Sequence, residues 1–236
     1  MMTKLLRAAI ALAAPLALWG CLLTPGKFVS SMTVNADRTF AFAYKGEVIA
    51  VDPSSAMKVA GENKDGDTDT PKVDVPKTDP AAEAESDAKN REIATALSKE
   101  AGYRSVVYRG KGKFDIDYAI SGTLTHSFLF PFNVDAQAIL PFVMVEVRQG
   151  NTVRVRAPGF SGNQNNSGAV SGLGGVGGGA SDGSKYLDGQ FTLDTDAEIV
   201  SQNNEEGAKS VGRRKQISWR ATPLTKDAPT AVLRLK

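Results

Sequence analysis

The chain has 236 residues but a single cysteine, Cys21, and a single histidine, His126. One cysteine excludes an internal disulfide, so stability has to come from packing. A zinc site wants several Cys or His ligands, and one of each does not supply them. A hydrolase triad built on His126 also lacks its usual setting, because no Gly-x-Ser-x-Gly turn is present. Neither sign of charge dominates: 28 Lys and Arg stand against 26 Asp and Glu, which leaves no electrostatic case for binding nucleic acid. Long apolar runs are missing too. The longest, Ala8 to Leu23, is broken by Pro15 and falls short of the roughly 18–20 residues that span a bilayer.

What that apolar run does carry is a secretory signal. Lys4 and Arg7 form a basic end, Ala8 to Trp19 an apolar core, and Gly20 a small residue before Cys21. Leu18-Trp19-Gly20-Cys21 resembles the lipobox of bacterial lipoproteins, with Trp19 bulkier than the pattern's usual residue. The resemblance implies cleavage before Cys21 and acylation of that cysteine, and two or more acyl chains anchor stably where one does not. An uncleaved membrane helix and an ordinary signal with an incidental cysteine are the alternatives. Leu22, rather than Asp, follows the cysteine. By the rule for lipoproteins of enteric bacteria, this implies the outer membrane, facing the periplasm.

The expected organisation is therefore a signal peptide over 1–20, a short tether over 21–26, and one α+β domain over 27–236. Phe28 to Val34 and Thr39 to Val51 alternate like the arms of a β-hairpin, with Phe40, Phe42 and Tyr44 on one face and Gly46 marking a bulge. Residues 61–84 are rich in Asp, Glu, Lys, Thr and Pro and nearly devoid of large apolar side chains, which predicts a disordered acidic insertion. Ser86 to Ala101 reads as the one helix, with Ile93, Ala94, Leu97 and Ala101 at helical spacing and Gly102 stopping it. Strands are expected at Tyr103 to Arg109, from Phe114 to Ile120, around Leu124 to Phe132, from Ile139 to Val147 and from Thr152 to Ala157. Residues 159–189 are dominated by Gly, Ser and Asn and read as a flexible loop. No helix signal or Lys-Ser/Thr pair follows to make them a phosphate cradle. Further strands are expected at 190–193, 197–201, 215–221 and 230–235. The predicted fold is a curved antiparallel sheet of about seven to nine strands with one helix packed on it.

The C-terminal part has a distinctive order. It runs through a loop containing Asn203 and Asn204, a strand ending in Ser218-Trp219-Arg220, the connector Thr222-Pro223-Leu224-Thr225, and a final aliphatic strand. Over Ala197 to Leu235, together with the opening hairpin, this resembles the LppM-type envelope lipoproteins. The chain is also similar to lipoproteins of Gram-negative bacteria. The first resemblance implies a lipid-binding α/β architecture and contact with lipid or glycolipid; it places no ligand residues one by one.

Three groups of side chains are candidates for a role beyond packing. Phe128, Phe130 and Phe132 are core residues or the lining of a lipid-sized apolar pocket. Lys209, Arg213, Arg214 and Lys215 are a solvated basic turn or a contact for anionic head groups. Asp115/Asp117 and Asp194/Asp196 are solvated strand residues, or they converge as a Ca²⁺ site or an acid–base pair for glycan hydrolysis. No cofactor is expected. The expected role is non-enzymatic: a membrane-anchored protein, attached through acylated Cys21, that binds lipid, glycolipid or an envelope assembly partner. A structural or adaptor subunit is the alternative, and a glycan-directed enzyme the third.

Overall fold

The computed structural model describes residues 22–51, 80–131, 141–162 and 184–236. Twelve strands and one α-helix are built from them. In chain order they are β1 (Leu22–Val34), β2 (Thr39–Val51), α1 (Pro80–Leu97), β3 (Tyr103–Gly110), β4 (Lys113–Thr123), β5 (Phe128–Phe130), β6 (Val143–Arg148), β7 (Thr152–Arg156), β8 (Asp188–Thr195), β9 (Glu198–Gln202), β10 (Lys209–Val211), β11 (Arg214–Ala221) and β12 (Thr230–Arg234). The α+β class expected from the sequence is what the chain adopts. The strands, however, divide into two sheets instead of one: seven in the order β10-β11-β8-β1-β2-β4-β3, and five in the order β5-β6-β7-β12-β9.

The β1–β2 hairpin is the axis of the larger sheet. Asp37 closes its turn, accepting both the backbone N–H and the hydroxyl of Thr39, and the Thr39 hydroxyl above all holds the carboxyl below its usual range. From there the register runs without interruption from Val34 opposite Phe40 to Phe28 opposite Gly46. Between Phe28 and Pro25, β1 carries one residue more than β2. Gly46 faces this bulge, and a Cβ there would lie 2.3 Å from the Lys27 carbonyl oxygen. Beyond the bulge β1 continues to Leu22 opposite Val51. Residues 22–26, expected as a tether, are thus strand, with Thr24, Pro25 and Gly26 buried. The physical reason is that β2 extends to Val51, and its ladder and the buried Val48 and Ile49 side chains need a partner strand.

Alternation holds in the strands that flank this hairpin. Phe42 and Tyr44 in β2, and Phe114, Ile116 and Tyr118 in β4, are buried on one face. β8 enters beside β1 in parallel, and β11 pairs with β8 antiparallel. The parallel pair was outside the expected antiparallel pattern. Periodicity says which face of a strand is buried, not which neighbour it takes.

The smaller sheet packs across the inner face of the larger one, and both contribute to a single core. Phe160 sits at the centre of the contact. Its ring stacks on Phe28 at 4.2 Å and meets Phe191 at 5.5 Å. It is carried by a short 3-10 helix, Pro158–Phe160, whose three residues are all buried. Residues 159–162 and 184–189 therefore do not belong to a loop in the sense expected for 159–189. The first group packs into the core, Leu187 is buried, and Asp188 and Gly189 start β8. Residues 163–183 lie outside the described set.

The helix covers what the smaller sheet leaves open. It begins at Pro80, six residues before the expected Ser86, and ends at Leu97. Residues 80–84 of the expected disordered insertion are thus helical, while 61–79 lie outside the described residues. Proline is accommodated in a first helical turn, and Ala and Glu favour helix. An ion pair at i, i+4 between Glu85 and Lys89 (2.6 Å) adds to this. The helix lies on β3 and packs into the core through Ile93 and Ala94 of the sequence stripe, whereas Leu97 is half-buried and Ala101 exposed. Its upper half is docked by polar contacts. The Tyr108 hydroxyl donates to Asp87 and accepts from Asn90 Nδ2 at 3.3 Å and from the Gly112 N–H at 3.0 Å. Among the described residues, no helix is long and apolar enough to cross a membrane.

Candidate functional site

The inner face of the seven-stranded sheet has two covers, the five-stranded sheet and the helix. They do not meet over the end of β4. The seam between them is a cleft of about 550 Å³, within the roughly 300–1,000 Å³ of small-molecule sites. Its floor is the inner face of β4, where Tyr118, Ile120 and Gly122 succeed one another. One wall is β5 with Phe128, Leu129 and Phe130, and the other is Glu100 and Ala101 just past the helix. Gly122 is the residue that makes space. It occupies an inward position with no side chain, and Phe40, opposite in register, leans over it with its ring edge 3.4 Å from where a Cβ would be.

The lining is aromatic and close-packed. Phe128 lies 5.3 Å from both Phe40 and Phe42, and Phe130 lies 4.7 Å from Tyr118. Phe128 is half-buried and Phe130 buried, so the expected aromatic run supplies a wall and part of the core together; Phe132 lies outside the described residues. Two phenols supply polar groups beside those of Glu100, Thr123, His126 and Ser127. Tyr103 and Tyr118 meet edge to face at 4.9 Å. Burial pushes both hydroxyls above their ordinary range, and the nearby Glu100 carboxylate pushes them further. They remain neutral hydrogen-bonding groups through physiological pH. His126 and Ser127 stand exposed at the rim, and the His126 ring shares a 3.0 Å hydrogen bond with Thr125. The arrangement can hold an apolar body against aromatic rings and bond one uncharged polar group beside Tyr103.

The other candidates are placed differently. Lys209, Arg213, Arg214 and Lys215 fall on the β10–β11 hairpin at the edge of the larger sheet. Lys209 pairs with Glu206 at 2.6 Å, and Arg214 is held by Asp194 and donates to Asn35 at 2.9 Å. Two of the four cations are thus engaged within the chain. Their end of the sheet is the far one: Lys215 lies opposite Thr195, which lies beside Val34. Leu22 is at the other end of β1, about 40 Å away along the strand. The register therefore puts this cluster and Leu22 at opposite ends of the same sheet. Cys21 itself lies outside the described residues.

The carboxylate pairs do not converge. Asp117 is in register with Lys45, Val29 and Gln190, so Asp194 is three strands away and four residues further on, about 14 Å across and about 13 Å along. Each carboxylate has a structural partner. Asp115 pairs with Arg109 at 2.6 Å and Asp117 with Lys45 at 3.7 Å, Asp194 binds Arg214, and Asp196 accepts the Ala36 N–H at 2.7 Å. Among the described residues, no group of three or more metal-ligating side chains gathers.

Some cleft residues were legible only in part. Phe40 and Tyr118 read as members of buried faces, Tyr103 as the start of a strand, and Gly122 gave no signal beyond interrupting one. The inward period of β4 continues from Ile120 to Gly122, which is the one clue that a gap opens there. The distinctive C-terminal order has a local explanation. Asn203 accepts the Trp219 indole N–H at 3.1 Å and the Thr230 N–H at 2.9 Å, and donates to the Ala228 carbonyl at 2.8 Å. One asparagine thereby ties the end of β9 to β11 in the other sheet and to the start of β12.

No family model matches the chain, and no curated protein matches it. Among solved structures it is similar to the folded domain of the LppM protein of Mycobacterium tuberculosis, at 17% sequence identity over 91% of this chain and 92% of that one, with a TM-score of 0.35.

Proposed function

We propose that this chain is a lipid-anchored envelope protein that binds, without catalysis, the apolar chain of a lipid or glycolipid in the cleft between β4, β5 and the end of α1. The anchor is read from the sequence: a basic start, a short apolar core and Leu18-Trp19-Gly20 before the single Cys21. The membrane is the outer one, facing the periplasm, in keeping with Leu22 after that cysteine. The observation that carries the binding reading is the cleft itself, about 550 Å³ and walled by Phe40, Ile120, Phe128, Leu129 and Phe130. Gly122 leaves this strip of β4 without a side chain. The two neutral phenols suit a ligand whose polar end is a hydroxyl, sugar or ester better than one that presents an anion to Glu100.

The test is organic extraction of the purified protein followed by lipid mass spectrometry. The reading expects an acyl-chain compound near one per protein. Protein that carries none, and acquires none when mixed with envelope lipids, would refute it. A second reading, an adaptor that holds a protein partner, is favoured by β9. Among the described residues this strand pairs only with β12, and Val200 on it is 45% exposed, an edge suited to strand addition. A protein co-purifying in stoichiometric amount, and lost on substitution of Val200 by proline, would support it.

A further inference from the structure

The geometry points to a second membrane contact, separate from the cleft: the end of the larger sheet next to Cys21 is a docking surface for anionic lipid head groups. The inference rests on the lipid-anchor reading above for its orientation, and on three features of the fold for its chemistry.

The first is the start of β1. The strand is paired from Leu22 onward, so an acylated Cys21 has no slack, and this end of the sheet lies within a residue or two of the bilayer surface. The second is what the topology gathers there. The β3–β4 turn lies alongside the end of β2, with the Ala50 N–H donating to the Gly112 carbonyl at 2.8 Å, and it brings Lys111 and Lys113 to this end. The segment entering β8 comes up beside β1, since Asp188 is opposite Lys27, and brings Lys185 and Tyr186. All three lysines are exposed. Lys113 and Lys185 both stand over the Tyr186 ring, at 5.6 and 5.2 Å from its centre. These cations are far apart in sequence and are collected only by the fold. Among the described residues, the acids of this end are partly engaged: Asp115 by Arg109, Asp188 by Arg220 and Asp87 by Tyr108, with Glu47 turned to the Lys27 N–H. Asp227, exposed beside Lys226, and Glu83, exposed on the first turn of α1, are not.

The third feature is exposed apolar surface at the same end. Leu224 is 88% exposed and Tyr186 is 45% exposed. Leu224 sits in the Thr222–Thr225 turn, which β11 delivers toward this end as it runs back from Thr195 to Gly189. A leucine and a tyrosine among lysines match what an anionic interface takes up: phosphate for the ammonium groups, and the boundary of the acyl region for the apolar side chains. The other basic cluster, at Lys209 to Lys215, stands at the opposite end and supplies an internal control.

The test is lysine acetylation footprinting of the full acylated protein, reconstituted in vesicles of phosphatidylcholine alone or with about one-third phosphatidylglycerol. Lys111, Lys113 and Lys185 are expected to lose reactivity several-fold in the anionic vesicles only, while Lys209 and Lys215 react equally in both. Replacing the three lysines by glutamate should weaken association of extracted protein with the anionic vesicles on the order of fivefold per lysine and leave the labelling of Lys209 and Lys215 unchanged. Equal labelling of the two groups in both vesicles would overturn the inference, as would stronger protection at Lys209 and Lys215. The mass of the N-terminal peptide in the same digest reports acylation of Cys21. Failure of the anchor is therefore read separately from failure of the docking surface.

Discussion

The two covers on the inner face of the seven-stranded sheet solve the same problem differently. Beneath the five-stranded sheet, aromatic rings from both layers interlock: Phe160 touches Phe28 and Phe191, and Tyr44 lies 5.9 Å from Phe142. Beneath the helix the contact is thinner. Its stripe is Ile93, Ala94 and Leu97, helped by polar contacts at Tyr108. Sheets pack about 10 Å apart and fill that space with side chains from both faces. A helix with a small-residue stripe approaches closely but covers little width. The strip of β4 left between the two covers becomes the cleft, and Gly122 keeps it empty. A cleft of this kind needs no dedicated loop. It follows from covering one wide sheet with two unlike elements.

The largest expected effect breaks the sheet-covered half. Phe160→Ala removes the ring at the centre of the aromatic cluster and should cost about 3–5 kcal/mol in denaturant unfolding. The same truncation at half-buried Phe128, on the cleft wall, should cost about 1 kcal/mol, because the ring already borders open space. Comparable losses at both sites would mean that the cleft is as solid as the core.

Next comes the polar docking of the helix. Tyr108→Phe leaves Asp87, Asn90 and the Gly112 N–H without their shared hydroxyl. It should cost about 1–3 kcal/mol, with faster amide exchange confined to α1 and β3.

Alkaline titration sharpens the comparison further. Burial, above all, raises Tyr44, Tyr103 and Tyr118 from their ordinary value of 10.0. Below that value both the folded and unfolded states hold these protons, and stability does not depend on them. Above it the unfolded chain loses protons that the folded chain keeps, so stability falls as pH rises past 10. Tyr103→Phe should lessen the fall. A fall that begins well below pH 10 would contradict the burial of these phenols.

Much of this was legible in the sequence, for reasons that vary by element. The hairpin of β1 and β2 and the inward sets of β4 and β11 follow from alternation, because one face of each strand is buried and the other wet. The division into two sheets was not legible. The chain leaves β8 and crosses to β9 through Asp196 and Ala197, and nothing in the alternation of either strand marks a change of layer. Boundaries failed where composition misled. Pro80 to Ala84, with Ala and Glu, resembled the acidic insertion before them yet form a helix, and Phe160 among glycines read as loop yet anchors the core. The cleft was half legible. Phe128 and Phe130 stood out as aromatic, but a space is made by what is absent, and Gly122 acquires meaning only once β4 and its two covers are in place. The basic clusters show the same limit. Lys209 to Lys215 is visible as a run, whereas Lys111, Lys113 and Lys185 become neighbours only through the β3–β4 turn and the parallel pairing of β8 with β1.

The most direct test of the cleft as a binding site compares one substitution in each half by native mass spectrometry of the protein as purified. Gly122→Leu fills the cleft with an apolar side chain and should leave the fold intact, while Phe160→Leu loosens the core without touching the cleft. Wild type and Phe160→Leu are expected to carry a lipid-sized adduct, and Gly122→Leu is not. An adduct retained in full by Gly122→Leu would contradict this.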